Sequence, residues 1–164
     1  MLHSPSHIDF LYSNPVSSSS RFAIAVHVLA YLAIRGEGSA LPSERIALSV
    51  NTNPTVVRRL LMQLAASGLT SSQLGTGGGA MLAREPESIT LLEIYEAVDK
   101  LEVFPLHRSP PSPKCLVGRN ITDVLREVSD SAEEAIRGEL RGKRLSDIIK
   151  AVIRNEARRG DAIF

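Results

Sequence analysis

Two short amphipathic segments joined by a tight polar turn restrict the fold more than any other feature of this sequence. They cover residues 43–50 and 54–67, and each places apolar residues at three- and four-residue steps, the spacing of a helix with one buried face. The turn ends in Asn53, a good N-cap, and Pro54, which suits the first position of a helix because that position needs no N–H donor. We therefore predict two short helices, the first of them capped by Ser43. Their inward residues are Ile46, Ala47, Val50, Val57, Leu60, Leu61 and Leu64.

A glycine-rich hairpin is predicted directly after these helices. Gly68 suits the end of the second helix, and residues 69–73 and 80–84 form two short strands around the run LGTGGG. A phosphate-binding loop would need a lysine after its glycines and then a helix, whereas a strand and Pro86 follow here. Two helices, a tight turn and a hairpin make a mainly α fold, the winged helix-turn-helix DNA-binding domain.

Two further helices frame this motif. The apolar run at residues 20–35 predicts a central helix that starts after Ser19 or Ser20. Its His27 is expected to be a core residue rather than a ligand. Thr90, followed three residues later by Glu93, predicts a capping box at the start of the other helix.

Four prolines among residues 104–114 exclude regular structure there and separate the rear of the chain. A long helix is predicted from about Leu116 to Gly138 or Gly142, and a last one over about 146–157. The predicted divisions are an unstructured leader or foreign segment at 1–19, the DNA-binding domain at 20–100, a proline-rich linker at 101–115, dimerisation helices at 116–157 and a tail at 158–164.

Charge is unevenly distributed along the chain. The net charge is +1, but the part up to Arg84 carries +3 and the remainder −2. No acid lies between Asn51 and Gly79, where Arg58 and Arg59 stand with Asn53 and Thr55 at the front of the second helix. Arginine can fork onto guanine or phosphate, and each phosphate contact releases counterions. The two arginines could instead merely coat a solvated helix, but their position in a helix-turn-helix favours DNA.

Four stretches of the chain resemble the Rrf2 family of bacterial winged-helix regulators, whose members include iron–sulfur, cysteine-metabolism and nitric-oxide-responsive repressors. They are SRFAIAVHVLAYLA from Ser20, IALSVNTNPTVVRRLLMQLAASGL from Ile46, GTGGGAMLAREPESITLLEIYEAVD from Gly75 and CLVGRNI from Cys115. The resemblance covers about residues 20–150. It implies a homodimer that binds a palindromic operator in double-stranded DNA and represses transcription.

The resemblance also implies which residues contact DNA. By position these are Arg21, Ser43, Asn53, Thr55, Val56, Arg58, Arg59, Thr76, Gly77 and Gly78. One departure is Leu74, which stands where many relatives have an arginine that enters the minor groove. Wing contacts in this chain are therefore expected to come from the backbone and to be weaker.

An apolar stripe continues along the long rear helix at three- and four-residue steps. It is longer than a single winged helix can cover, so we expect two chains to bury it against each other. Pairing would place the two recognition helices roughly 34 Å apart, one turn of DNA. The alternative is that the stripe packs back on its own domain. The residues expected to form the dimer are Ile121, Val124, Leu125, Val128, Ala132, Ala135, Ile136 and Leu140.

Cys115 is the only cysteine of the chain. Relatives with an iron–sulfur cluster have three cysteines before this helix, so we expect neither a cluster nor any other metal or cofactor here, unless a residue such as His107 substitutes. Cys115 is predicted at a helix start near Lys114 and Arg119, where its thiolate would be favoured. It is a candidate redox or electrophile sensor, and equally a half-buried structural residue.

Other classes of protein fit the sequence less well. No signal peptide or apolar run of membrane-spanning length is present, and a single cysteine suits the cytoplasm. We find no nucleophile paired with a base and no metalloprotease motif, so an enzyme is not expected. The remaining alternative is a winged-helix protein-interaction module without specific DNA binding. The operator, the regulated genes and the small-molecule or oxidant effector are not encoded in any visible motif.

Overall fold

The computed structural model describes residues 18–75, 77–99 and 104–160. Within them the chain is mainly helical with one two-stranded antiparallel sheet, which confirms the predicted fold class. Residues 1–17 of the predicted leader, Thr76 and residues 161–164 of the predicted tail lie outside the described residues. In chain order the elements are α1 (Ser18–Gly36), α2 (Ser43–Val50), α3 (Pro54–Ala66), β1 (Thr70–Gln73), β2 (Gly79–Leu82), a 3-10 turn (Pro86–Ser88), α4 (Leu91–Val98), α5 (Ile121–Gly142) and α6 (Leu145–Arg159).

Helix α1 lies at the centre of the molecule and contacts α2, β2, α4 and α6. Val28 and Leu29 of α1, Ile46 of α2 and Leu64 of α3 are fully buried. Burial of one such side chain contributes roughly 1.5–3 kcal/mol. The stripes predicted for α2 and α3 therefore form one core with α1, although Val50 and Leu61 are only partly buried.

Three capping predictions have different outcomes. Asn53 caps α3 as expected, because its Oδ1 accepts the Thr55 backbone N–H at 2.8 Å. Ser43 does not cap α2, since it is already the first helical residue and its hydroxyl contacts side chains instead. Helix α1 begins at Ser18, so neither Ser19 nor Ser20 is its N-cap.

The hairpin is fixed against the front of α2 by two backbone hydrogen bonds. Leu41 N–H donates to Ala80 O at 2.8 Å, and Ala80 N–H donates to Leu41 O at 2.9 Å. A Cβ at Gly79 would collide with the carbonyl of Leu41, so the close approach requires glycine. This contact holds the wing beside the helix-turn-helix.

The rear helices dock on the same core through the corner between α5 and α6. Leu91 N–H donates to Lys143 O and Leu145 N–H to Ile89 O, both at 2.9 Å, and Leu145 is fully buried. Helix α4 begins with the predicted Thr90–Glu93 capping box. No helix among the described residues is long and apolar enough to cross a membrane.

Candidate nucleic-acid interface

The front of α3 forms an exposed polar surface. Its inner face, Val57, Leu60 and Leu64, is buried in the core, and this fixes the outward direction of the remaining side chains. Thr55 and Arg59 are exposed, while Val56 is half-buried. The structure thus brings together the residues that the sequence predicted at the start of this helix.

Arg59 is available for an external ligand. It makes no hydrogen bond or ion pair with any residue that the structure describes. Asn53 at the start of the same helix uses only its Oδ1 as the helix cap, so its side-chain NH₂ remains a donor. Together with the positive end of the α3 dipole, these donors suit a phosphate or a base edge.

The exposed side chain of Arg58, unlike that of Arg59, makes contacts with residues of α2. Its Nε donates to the Ser43 hydroxyl at 3.0 Å, and its NH2 forms an ion pair with a carboxylate oxygen of Glu44. The Ser43 hydroxyl in turn donates to the other Glu44 oxygen at 3.2 Å. The surface is therefore not free of acids, because α2 supplies one. Sequence reasoning missed Glu44, since the absence of acids within residues 51–79 says nothing about a neighbouring helix.

The ionised form of Glu44 is favoured by its surroundings. Its own backbone N–H, and after it the Arg58 guanidinium, hold the pKa of this carboxyl below its ordinary value. The Arg58 and Glu44 side chains are 56% and 61% exposed, so the pair remains accessible from outside. At neutral pH the ion pair is formed but open to competition.

The wing carries the glycines predicted to approach DNA. Gly75 and Gly77 have φ angles of +95° and +79°, a region that glycine adopts without strain, and Gly77 is exposed. Gly78 is half-buried, and Thr76 lies outside the described residues. Leu74 is 92% exposed, so an apolar side chain stands at the base of the wing tip.

Two more residues of α1 were singled out from the sequence. Arg21 is exposed in the first turn. His27 is also exposed, which makes the expected core position wrong: its Nε2 lies 3.1 Å from the Ser49 hydroxyl of α2. The ring thus sits at the edge between the two helices rather than in the core.

Much of the apolar stripe of α5 remains uncovered within one chain. Val124 and Val128 are both 54% exposed, and Leu125 and Ile136 are also exposed. Ile121 and Ala132 are half-buried, and Leu140 packs against the core. Helix α5 starts at Ile121 and not near Leu116, which is itself 68% exposed in the preceding turns.

Cys115 lies in those turns, not at a helix start. It is exposed, and the backbone N–H groups of Gly118 and then Val117 lower the pKa of its thiol. A Cβ at Gly118 would collide with the Ser112 carbonyl, so the chain is held in a tight loop that precedes α5. The thiolate is favoured here by turn N–H groups rather than by a helix dipole.

The donor set around Cys115 does not fit an iron–sulfur cluster of the three-cysteine kind. The chain has one cysteine, and the described residues contain no group of three His, Cys, Asp or Glu side chains placed to hold a metal ion. His107 is exposed in the proline-rich segment.

Comparison with known proteins places this geometry in a family. The Rrf2 family model, described as an iron-dependent transcriptional regulator, matches residues 18–151. YwnA of Bacillus subtilis, named as an HTH-type transcriptional regulator, is 42% identical over 132 residues, which span 80% of this chain and 96% of YwnA.

Two solved structures share the fold. One, described as a DNA-binding protein, is 37% identical with a TM-score of 0.64, and the match covers 79% of this chain and 99% of that one. The IscR of T. potens is 21% identical with a TM-score of 0.62, and the match covers 87% and 90% of the two chains. The matched relatives are transcriptional regulators and not enzymes. The chain belongs to the Rrf2 family of DNA-binding transcriptional regulators.

Proposed function

We propose that this regulator is a cytoplasmic homodimeric repressor that binds a palindromic operator at its own or neighbouring genes. The observation that carries the proposal is the exposed front of α3, where Arg59 has no partner among the described residues and lies in the helix that Asn53 caps. In a helix-turn-helix this end of the second helix reaches base edges in the major groove.

The apolar face of α5 supports the dimer. Four large apolar side chains of one helix are exposed in the single chain, which is costly for a surface in water. A second copy with the same face would cover them about a twofold axis, as in most homodimers. A dimer also provides the second recognition helix that a palindrome requires.

A titration with DNA tests the proposal. We expect a labelled duplex from the region upstream of the gene to bind more tightly than a scrambled duplex, with an affinity that falls steeply as salt increases. The alternative is a winged-helix protein-interaction module, which would show no preference between the two duplexes.

We propose further that Cys115 senses thiol-reactive compounds, and that no iron–sulfur cluster takes part. Exposure and a lowered thiol pKa both favour attack by the thiolate. With hydrogen peroxide, the sulfur would bond to one oxygen while the O–O bond breaks and hydroxide leaves, giving a sulfenic acid. The turn that carries Cys115 leads directly into α5, so such a change would act on the dimer face.

We expect peroxide to weaken operator binding by the native protein and to leave the Cys115→Ser variant unchanged. Polarisation titrations before and after treatment measure this, and a thiol reductant should restore the native affinity. If the curves of the treated and untreated native protein coincide, the thiol has no sensory role and Cys115 is only part of the linker.

A further inference from the structure

We propose that Glu44 is a positioning residue for DNA specificity: it competes with DNA for Arg58. This inference rests on the proposed DNA-binding function. The carboxylate belongs to α2 and the guanidinium to α3, so the contact joins the two helices of the helix-turn-helix. The two residues are fourteen positions apart in the sequence. The Arg58 side chain is thereby held by Glu44 and Ser43 in the absence of DNA.

The ion pair with Glu44 gives the two adjacent arginines, Arg58 and Arg59, different roles in DNA binding. Arg59 has no partner among the described residues and can meet any phosphate that comes near. Arg58 must first leave Glu44, and that costs the ion pair and its hydrogen bonds. A phosphate that approaches Arg58 also meets the negative charge of Glu44, whereas the O6 and N7 atoms of guanine are two aligned acceptors without a net charge.

The exposure of the pair makes such an exchange feasible. Both side chains are more than half exposed, so neither has to leave a buried site. Ion pairs of this kind are weak enough to be exchanged for a better contact. The negative charge of Glu44 also repels phosphates directly, even when Arg58 is absent. The effect of this charge on DNA affinity must therefore be measured separately from the effect of the ion pair with Arg58.

Substitution of Glu44 by glutamine tests the inference because it keeps the shape and removes the charge. We expect Glu44→Gln to bind a scrambled duplex about threefold to fivefold more tightly at low salt, since Arg58 becomes available to phosphates. The slope of log affinity against log salt should steepen by about one unit, the value for one added phosphate contact. Affinity for the selected operator should change less, so the ratio between the two duplexes should fall.

A double-mutant cycle separates the two effects of Glu44. In the Arg58→Ala background, Glu44→Gln is expected to change the affinity for the scrambled duplex by much less. An equal gain in both backgrounds, or no gain in either, would overturn the inference. Glu87→Gln removes an exposed acid outside the helix-turn-helix and is the matched control. If no protein of the set, the native one included, binds DNA, the proposed function itself fails, and this inference with it.

Discussion

Replacing Arg58 and Arg59 together by alanine is expected to abolish specific DNA binding while the fold and the dimer persist. A bidentate arginine–guanine contact is worth about 1–3 kcal/mol, and loss of two arginines also removes phosphate contacts. We therefore expect the operator affinity to fall about a hundredfold or more. Both side chains point away from the core, so the thermal unfolding temperature should change little.

A matched pair of arginines provides the control. Arg158 and Arg159 are also adjacent and lie in the last turn of α6, so their replacement by alanine changes the net charge equally. That variant should keep most of the operator affinity in the same polarisation assay. Equal losses in the two double variants would mean that net charge alone drives binding, and full affinity in the Arg58/Arg59 variant would contradict the assignment of α3.

Introducing aspartate at both Val124 and Val128 is expected to convert the protein into a monomer. The two side chains lie one helical turn apart on the exposed apolar face of α5, next to the acidic residues Asp123 and Glu127. Pairing two such faces would bury unpaired charges of the same sign, which is strongly unfavourable. Because each monomer would retain only one recognition helix, we expect operator affinity to fall about a hundredfold or more.

Light scattering after size-exclusion chromatography measures the oligomeric state of this variant. Asn155→Asp with Ala157→Asp adds the same charge to exposed positions of α6 and should leave the dimer intact. A native protein that is already a monomer, or a Val124/Val128 variant that remains a dimer, would show that the face of α5 does not pair two chains.

Local patterns in the sequence predicted most of the DNA-binding domain. Residue spacing gave the bounds of α2 as the structure has them, and residue type gave the caps at Asn53 and Thr90. These features depend on neighbours a few residues away, so the sequence carries them directly. The same holds for Gly68, whose φ of +69° turns the chain from α3 into β1.

Features that depend on contacts between elements were not predictable in this way. The Ser43 hydroxyl was expected to cap a helix, but Arg58 reaches it from the next helix. His27 lies in an apolar run, yet the packing of α1 against α2 leaves it at the surface beside Ser49. Backbone hydrogen bonds from Cys115 to the Ser112 carbonyl and from Asn120 to the Val117 carbonyl form turns here, so α5 starts five residues later than the apolar pattern indicates.

The central claim is that a dimer of this chain reads DNA with its two α3 helices. Selection of binding sites from a library of random duplexes tests this claim most directly. A dimer that presents two α3 helices should enrich an inverted repeat whose half-site centres lie one helical turn of DNA, roughly 34 Å, or a multiple of it apart. The Arg58/Arg59 double alanine variant should enrich nothing. Recovery of unrelated sequences without an inverted repeat by the native protein would contradict the claim.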